Sequence, residues 1–154
     1  MTPVLRLLRL GASPERLAWS LAIGLVIGVN PVLGSTTVVC LAVAFVLRLN
    51  LLASQLTNHL VYPLQLLLFV PFLRLGTLLF GAPPMPLTPV QLLHVARTHP
   101  LEVSRRLWLW ESHALLVWLV LAVAAAPIFA ALLTPVLRRL KGRIDQHQDP
   151  VVVR

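Results

Sequence analysis

A polar interruption between Asn30 and Thr37 carries the residues that are best suited to binding chemistry. It reads Asn-Pro-Val-Leu-Gly-Ser-Thr-Thr within apolar sequence, and its proline and glycine predict a helix end and a turn. A helix that starts at Ser35 would present free backbone N–H groups and the positive end of its dipole, which attract anions. The alternative is that the hydroxyls only cap their own helix and that Asn30 bonds a neighbouring carbonyl. The predicted ligand-binding residues of this segment are Asn30, Pro31, Gly34, Ser35, Thr36 and Thr37.

A second group of candidate ligand-binding residues follows in the chain and comprises Arg48, Asn50, Asn58 and His59. Ionisable groups inside a membrane segment are functional candidates by default, and a histidine can shuttle protons. The alternative is that Arg48 extends to lipid head groups at the interface, and that His59 is a hydrogen-bonded packing residue.

Metal and catalytic chemistry are poorly supported by the remaining residues. His94 and His99 are five residues apart, which is not the one-turn spacing that directs two imidazoles at one metal. Of five acidic residues, Glu15, Asp145 and Asp149 lie at a predicted helix start or in the tail, so no set of nucleophile, base and acid can be assembled. We predict no metal, no cofactor and no catalytic residues.

The composition indicates that the surface faces lipid. Hydrophobic residues make up 58% of the 154 residues and charged residues 12%, whereas soluble domains carry about 25% charged residues. The net charge of +8 is typical of basic residues that collect on the cytoplasmic side of a membrane protein. We predict the lipid bilayer as a partner and no nucleic acid. Cys40 is the single cysteine, so an intrachain disulfide is impossible.

Two short helices must position the polar interruption. Ser13 is the predicted N-cap and Pro14 the first residue of the first helix, whereas the second helix starts at the Ser-Thr-Thr sequence. Each has about 13 apolar residues, or roughly 20 Å, against a bilayer core of about 30 Å. The pair forms a re-entrant hairpin or one broken helix. The hairpin is favoured because Arg16 and Arg48 then lie on one side of the membrane. A signal sequence cleaved at the interruption is a further alternative.

The predicted fold class is an all-α integral membrane protein, with the re-entrant or broken helix pair, two spanning helices and a short amphipathic helix between them. Residues 51–80 cross the membrane once and are interrupted at Tyr62-Pro63. A single membrane domain covers residues 1–154. Beyond residue 81 it comprises a linker and amphipathic helix at 82–106, a spanning helix at 107–137 and a basic cytoplasmic tail at 138–154.

The distribution of basic residues predicts a multi-pass protein of the bacterial inner membrane with both termini in the cytoplasm. The C-terminal cluster at residues 138–143 carries this prediction. Arg97, Arg105 and Arg106 then lie outside; the opposite orientation would place them inside and the C-terminal cluster outside.

A family resemblance rests on residues 11–81. The residues that carry it are Gly11, Pro14, Ala22, Gly24, Gly28, Asn30-Pro31, Gly34, Arg48, Asn50, Asn58 and Pro63. In these the chain resembles the bacterial membrane family called domain of unknown function 2062, although it has Asn58-His59 where the family usually has Asn-Pro. The resemblance implies a membrane fold and no particular reaction. Some family members look as if they are fused to glycosyltransferases or encoded next to them. This resemblance implies a role in the synthesis of envelope lipid or polysaccharide.

Three functions are compatible with these residues. The first is a small transporter or a lipid- or anion-handling protein, with its site at the discontinuous helix. Such a protein could function as a homo-oligomer. The second is a non-catalytic accessory subunit of an envelope polysaccharide or lipid-linked glycosyltransferase system. It would pack against its enzyme through Gly24-x-x-x-Gly28, because glycines four residues apart permit close helix contact. The third, a membrane enzyme, is disfavoured by the scarcity of acids.

Overall fold

The computed structural model describes residues 13–32, 34–81 and 100–148, and over these residues the chain is all-helical, with five α-helices. The predicted all-α class is confirmed to that extent. The basic lead-in at residues 1–12 lies outside the described residues, and so does the segment 82–99, which includes the predicted amphipathic helix with His94 and Arg97, and also His99.

The first two helices form a hairpin around the polar interruption. Helix α1 spans Pro14–Gly28, and the Ser13 hydroxyl accepts a hydrogen bond from the Arg16 N–H at 3.3 Å, which confirms the predicted N-cap. Helix α2 spans Thr36–Val46 and packs against α1. The chain after α2 returns to the first half of α1, since the Asn50 N–H donates to the Ser20 hydroxyl at 2.8 Å. The two helices are therefore antiparallel.

A tight turn joins α2 to α3. Arg48 adopts the left-handed conformation, with φ of 52°, and its N–H donates to the Phe45 carbonyl at 3.0 Å. The N–H of Leu49 donates to the Ala44 carbonyl at 2.8 Å. These two bonds form a Schellman motif, which satisfies the last carbonyls of a helix and usually has glycine at the left-handed position.

Helices α3, Leu51–Leu60, and α4, Tyr62–Phe80, follow each other almost without interruption. The Val61 N–H donates to the Thr57 carbonyl at 3.1 Å, and the Gln65 N–H donates to the Val61 carbonyl at 3.0 Å, so helical bonds continue across the junction. Pro63 has no N–H to donate and loosens the backbone there. The predicted interruption at Tyr62-Pro63 is therefore a single non-helical residue, Val61, between two helices whose hydrogen bonds are nearly continuous.

Helix α5 spans Pro100–Gln148, a length of 49 residues. It is longer at both ends than the spanning helix predicted for residues 107–137, and it includes residues assigned from the sequence to the linker and to the basic tail. The flanks are helix-compatible, because polar helix formers such as Glu, Arg, Lys and Gln replace apolar residues there without a break in helix propensity. Pro127 and Pro135 lie inside the helix.

The helices pack around α1, which contacts α2, α3 and α5, while α4 packs along α5. Glu15 at the start of α1 forms an exposed ion pair with Arg138, with 2.7 Å between Oε1 and the guanidinium. A backbone hydrogen bond, and secondly the bond from Arg138, lowers the pKa of this carboxyl. Near the other end of α1, the Trp118 indole N–H donates to the Val26 carbonyl at 3.0 Å. Helix α5 is therefore antiparallel to α1.

Two described helical segments, Tyr62–Phe80 and Trp108–Ile144, are long and apolar enough to cross a membrane. The two apolar segments from which spanning helices were predicted therefore do form helices of sufficient length.

Candidate functional site

The break between α1 and α2 begins with two buried residues. Asn30 is 3% exposed and Pro31 is fully buried. The Asn30 N–H donates to the Ile27 carbonyl at 3.0 Å, and its side-chain Oδ1 accepts from the Val32 N–H at 2.7 Å. Asn30 thus closes the turn with its own side chain, which is the local role that asparagine often has in turns. Gly34 is exposed and has φ of +86°, which suits glycine.

The three hydroxyl residues at the start of α2 differ in their surroundings. The Ser35 hydroxyl donates to the Val32 carbonyl at 3.0 Å and makes no capping bond to α2. Thr36 is buried and Thr37 half-buried. The Thr37 carbonyl accepts from the Gln55 side-chain amide at 3.1 Å, which ties α2 to α3. The simple capping alternative therefore does not describe Ser35, whose side chain supports the turn.

Gln65, which the sequence reasoning missed, reaches the break from α4. Its side chain is 1% exposed, and its Nε2 donates to the Asn30 carbonyl at 2.8 Å. A signal was present in the sequence, because Gln65 is the one polar residue in the apolar run 64–70 and lies seven residues after Asn58. Seven residues are about two helical turns, so the two residues share a helix face once the Tyr62-Pro63 joint is recognised as helical.

Asn58 borders the same region from α3. Its side chain is 3% exposed, and its backbone lies against Gly28, the last residue of α1. Both polar atoms of the Asn58 amide are without a hydrogen-bond partner among the described residues, and so is Oε1 of Gln65. Buried amides are paired in the great majority of cases. We call Asn30, Asn58 and Gln65 the amide cluster.

Gly24 and Gly28 bring α1 onto α3. A side chain at Gly24 would overlap the backbone carbonyl of Ser54, and one at Gly28 would overlap the Val61 side chain. The Gly-x-x-x-Gly face is therefore covered by α3 of the same chain. This contact also holds Asn58 beside the end of α1, so the glycines are part of what positions the amide cluster.

The remaining predicted ligand-binding residues lie away from the break. Arg48 is exposed in the turn after α2, and Asn50 is the N-cap of α3, with Oδ1 accepting from the Ala53 N–H at 3.0 Å. The 11 residues of α2 separate them from the break, a distance of about 16 Å. His59 is exposed, although its neighbour Asn58 is buried. The structure thus places Asn58 beside Gly28, two residues before Asn30, and leaves Arg48, Asn50 and His59 away from the break.

A different pair of polar groups lies between α4 and α5. Oε1 of Glu111 and Nδ1 of His113 are buried and have no partner within the described part of the chain. The His113 ring stacks on Phe80 with 4.5 Å between centroids, next to the close contact of Gly76 with α5. No other titratable group bonds to them in the described segments, so they do not extend the amide cluster.

The amide cluster can bind but is not equipped for catalysis. Its side chains are neutral amides, which donate and accept hydrogen bonds without changing protonation state near neutral pH. Within residues 13–32, 34–81 and 100–148 no three His, Cys, Asp or Glu side chains are grouped so that they could hold a metal ion. Such side chains can form hydrogen bonds with a polar group.

A family model described as an uncharacterized protein conserved in bacteria, DUF2062, matches residues 2–148 of the chain. The match extends beyond residues 11–81, to which the sequence resemblance was limited, and includes α5. No curated protein and no solved structure matches the chain.

Proposed function

We propose, from the premise that this chain belongs to the DUF2062 family of bacterial proteins, that it is an inner-membrane protein that binds a polar ligand at the helix break. In this proposal α4 and α5 cross the bilayer and the α1–α2 hairpin enters it without crossing. The protein acts as a small transporter, or handles a lipid whose polar part occupies the break.

The apolar surface supports the membrane location. Every described helix exposes large apolar side chains, including Trp19, Val38, Phe45, Leu52, Leu60, Leu67, Leu78, Val120, Val123 and Leu132. Apolar surface on this scale is unfavourable in water. Lipid would cover it at no such cost, and the two long apolar helices have the length that a bilayer requires.

The amide cluster is the observation that carries the binding proposal. Backbone without helical bonds is tolerated at membrane depth only where protein buries it or where it lines a wet cavity. Here Asn30 and Pro31 at the start of the break are buried, and yet the nearby amides of Asn58 and Gln65 keep atoms without partners in the described residues. Because burying such atoms unpaired is costly, a polar ligand at this point is the arrangement that best accounts for them.

The accessory-subunit alternative loses one of its supports. The Gly24-x-x-x-Gly28 face contacts α3 within the chain, so it is not available to a partner enzyme. A partner would have to bind the exposed apolar faces or the basic end of α5 instead, and no contact in the described residues favours either over lipid.

Thiol accessibility tests the proposal in native membranes. In a Cys40→Ala background, single cysteines are introduced as Ser35→Cys at the break and Phe45→Cys on the exposed apolar face of the same helix. A membrane-impermeant maleimide is applied to right-side-out and to inverted vesicles. We expect the cysteine at position 35 to react from one side only, since a wet break opens to one face.

The cysteine at position 45 is the matched control, and we expect it to be unreactive from both sides because lipid covers it. Reaction at position 35 should be slowed by those sugars, sugar phosphates or lipid head-group analogues that bind. Protection of position 35 from both sides would contradict the proposal, because the break would then be sealed by protein packing. Fast reaction at position 45 from the aqueous phase would contradict the membrane location of α2.

A further inference from the structure

The unpartnered atoms of the amide cluster define what kind of ligand can complete it. Asn58 offers one donor group, Nδ2, and one acceptor, Oδ1, and Gln65 offers the acceptor Oε1. The orientation of the Gln65 amide follows from its bond to the Asn30 carbonyl, which requires Nε2 as the donor. A complementary group must therefore both donate and accept hydrogen bonds.

No charged side chain accompanies these atoms. The buried polar residues of the described part of the chain are Ser20, Asn30, Thr36, Ser54, Asn58 and Gln65, all of them neutral. An ion that enters a buried site needs a partner of opposite charge to offset its loss of hydration. An anion would find no buried Lys or Arg here, and a cation no buried carboxylate.

The helix dipoles do not supply the missing charge. The carboxyl end of α1, at Gly28, and the amino end of α2, at Thr36, both flank the break. Their partial charges have opposite signs and similar size, so they largely cancel. The attraction for anions expected from the start of α2 alone is weakened by the end of α1.

We propose that the amide cluster binds uncharged hydroxyl groups, supplied by water or by a polyol, which bridge the Asn58 amide to the Gln65 carbonyl. A hydroxyl donates one hydrogen bond and accepts up to two, which matches the atoms left over. Asn58 and Gln65 lie seven residues apart on one face, a rise of about 10 Å, so a bridge between them needs more than one hydroxyl group, as several waters or one polyol would supply. This inference rests on the proposed function and narrows its ligand class.

Solid-state NMR of the full chain in lipid bilayers tests the proposal through the side-chain nitrogens. The amide signal of Asn58 is assigned by its loss in Asn58→Leu, and that of Gln65 by its loss in Gln65→Leu. Magnetisation transfer to these nitrogens is then measured from water and, in a second sample, from isotope-labelled glycerol. The Trp118 indole N–H, buried and bonded to the Val26 carbonyl, is the dry control.

We expect rapid transfer to the Asn58 amide and little to Trp118. Transfer from water identifies water as the source of the hydroxyls, and transfer from glycerol identifies a polyol; either result supports the proposal. Transfer no faster than at Trp118 from both sources would overturn it, as would chemical-shift changes of the Asn58 amide that follow added sodium chloride or sodium phosphate at constant osmolarity.

The two proposals fail in different ways. If the cysteine at position 35 is accessible and only ions perturb the Asn58 amide, the ligand class is wrong but the binding site stands. If the amide is dry and position 35 is protected from both sides, the site itself is absent.

Discussion

The side-chain amides of Asn58 and Gln65 are the least expected groups in this apolar chain. A buried polar atom without a partner costs about 1–3 kcal/mol, whereas an apolar side chain of similar shape costs nothing there. Leucine has nearly the shape of asparagine, and its introduction would leave the contact between the backbone of residue 58 and Gly28 in place. The Asn58 amide and the side-chain carbonyl of Gln65 therefore contribute to stability only if something in the native membrane bonds to them.

Replacement of Asn58 by leucine distinguishes an amide without hydrogen-bond partners from one that bonds to bridging hydroxyl groups. If hydroxyl groups bridge the cluster, we expect Asn58→Leu to lower the free energy of unfolding by about 1–3 kcal/mol, because the bridge is lost and the Gln65 carbonyl is left unpaired. Denaturant unfolding in micelles, followed by tryptophan fluorescence, measures this. An increase in stability would mean that the amides are dry and unpaired in the native protein.

Arg48 matters for the backbone conformation of the turn between α2 and α3. It occupies the left-handed position of the Schellman turn, with φ of 52°, which costs an L-residue about 1 kcal/mol relative to glycine. We expect Arg48→Gly to raise the free energy of unfolding by about that amount, and Arg48→Ala, which keeps the strain and removes the charge, to give no increase. Equal stability of the two variants in the same unfolding assay would show that backbone strain at position 48 does not limit stability.

At the scale of elements, the contact between α1 and α3 determines where the amide cluster forms. Ser20, Gly24 and Gly28 follow each other at intervals of four residues along α1, so they form one stripe of small residues that meets α3. Because the stripe has almost no side-chain volume, the backbones approach closely and Asn58 is held at the end of α1. A wider separation would open the cluster to lipid.

Two glycine substitutions test this contact. The added methyl group of Gly24→Ala would meet the Ser54 backbone carbonyl, which cannot rotate away, so we expect a loss of about 1–3 kcal/mol of stability from overpacking. Gly142→Ala in α5 is the matched control, since nothing lies within 4 Å of its added methyl group. It should gain up to about 1 kcal/mol from helix propensity.

Both glycine variants are compared by thermal unfolding at the same detergent concentration. Gly24→Ala is also expected to expose the Asn58 amide to solvent exchange, because α1 must move away from α3. A Gly24→Ala protein as stable as Gly142→Ala would refute the close α1–α3 contact.

At the scale of the whole molecule, positive charge collects at one end of the bundle. The ion pair between Glu15 and Arg138 brings the start of α1, with Arg16, next to α5. The hydrogen bond from Asn50 to Ser20 brings the turn that contains Arg48 to the same half of α1. Arg139, Lys141 and Arg143 continue from the same end of α5. This concentration is the pattern that faces the cytoplasm in bacterial membrane proteins. Arg74, exposed in α4, lies six residues before Phe80, or about 9 Å, and can extend to the opposite interface.

Reporter fusions test this orientation. We expect green fluorescent protein joined after Gln148 to fluoresce and alkaline phosphatase joined at the same position to be inactive, because the predicted orientation places the end of α5 in the cytoplasm. A phosphatase fused after Gly81, the residue that follows α4, should be active, because α4 leads away from the basic end. The reverse pattern at both positions would place the basic end outside and contradict the proposed orientation.

The sequence by itself determined the helical class, the start of α1 at Ser13-Pro14, the break at Asn30-Pro31 and the two apolar segments long enough to span a bilayer. These features depend on local rules: capping, the missing N–H of proline, and runs of apolar residues. The same rules did not locate the ends of α5, because its flanks lose apolar character without losing helix propensity. Composition therefore changes at residues 107 and 137, whereas the helix continues to residue 148.

Only the tertiary structure decided which polar residues meet. The sequence predicted two separate groups of ligand-binding residues and could not show which of them meet. The hairpin places Arg48 and Asn50 of the second group at its far end, while Gln65 approaches from another helix to bond Asn30. Asn58 and His59 are adjacent and equally polar, and only the packing of α3 on Gly28 buries one and exposes the other. The physical reason is that a site forms from contacts between helices. Spacing along one helix fixes which residues share a face, but it does not fix which face another helix will cover.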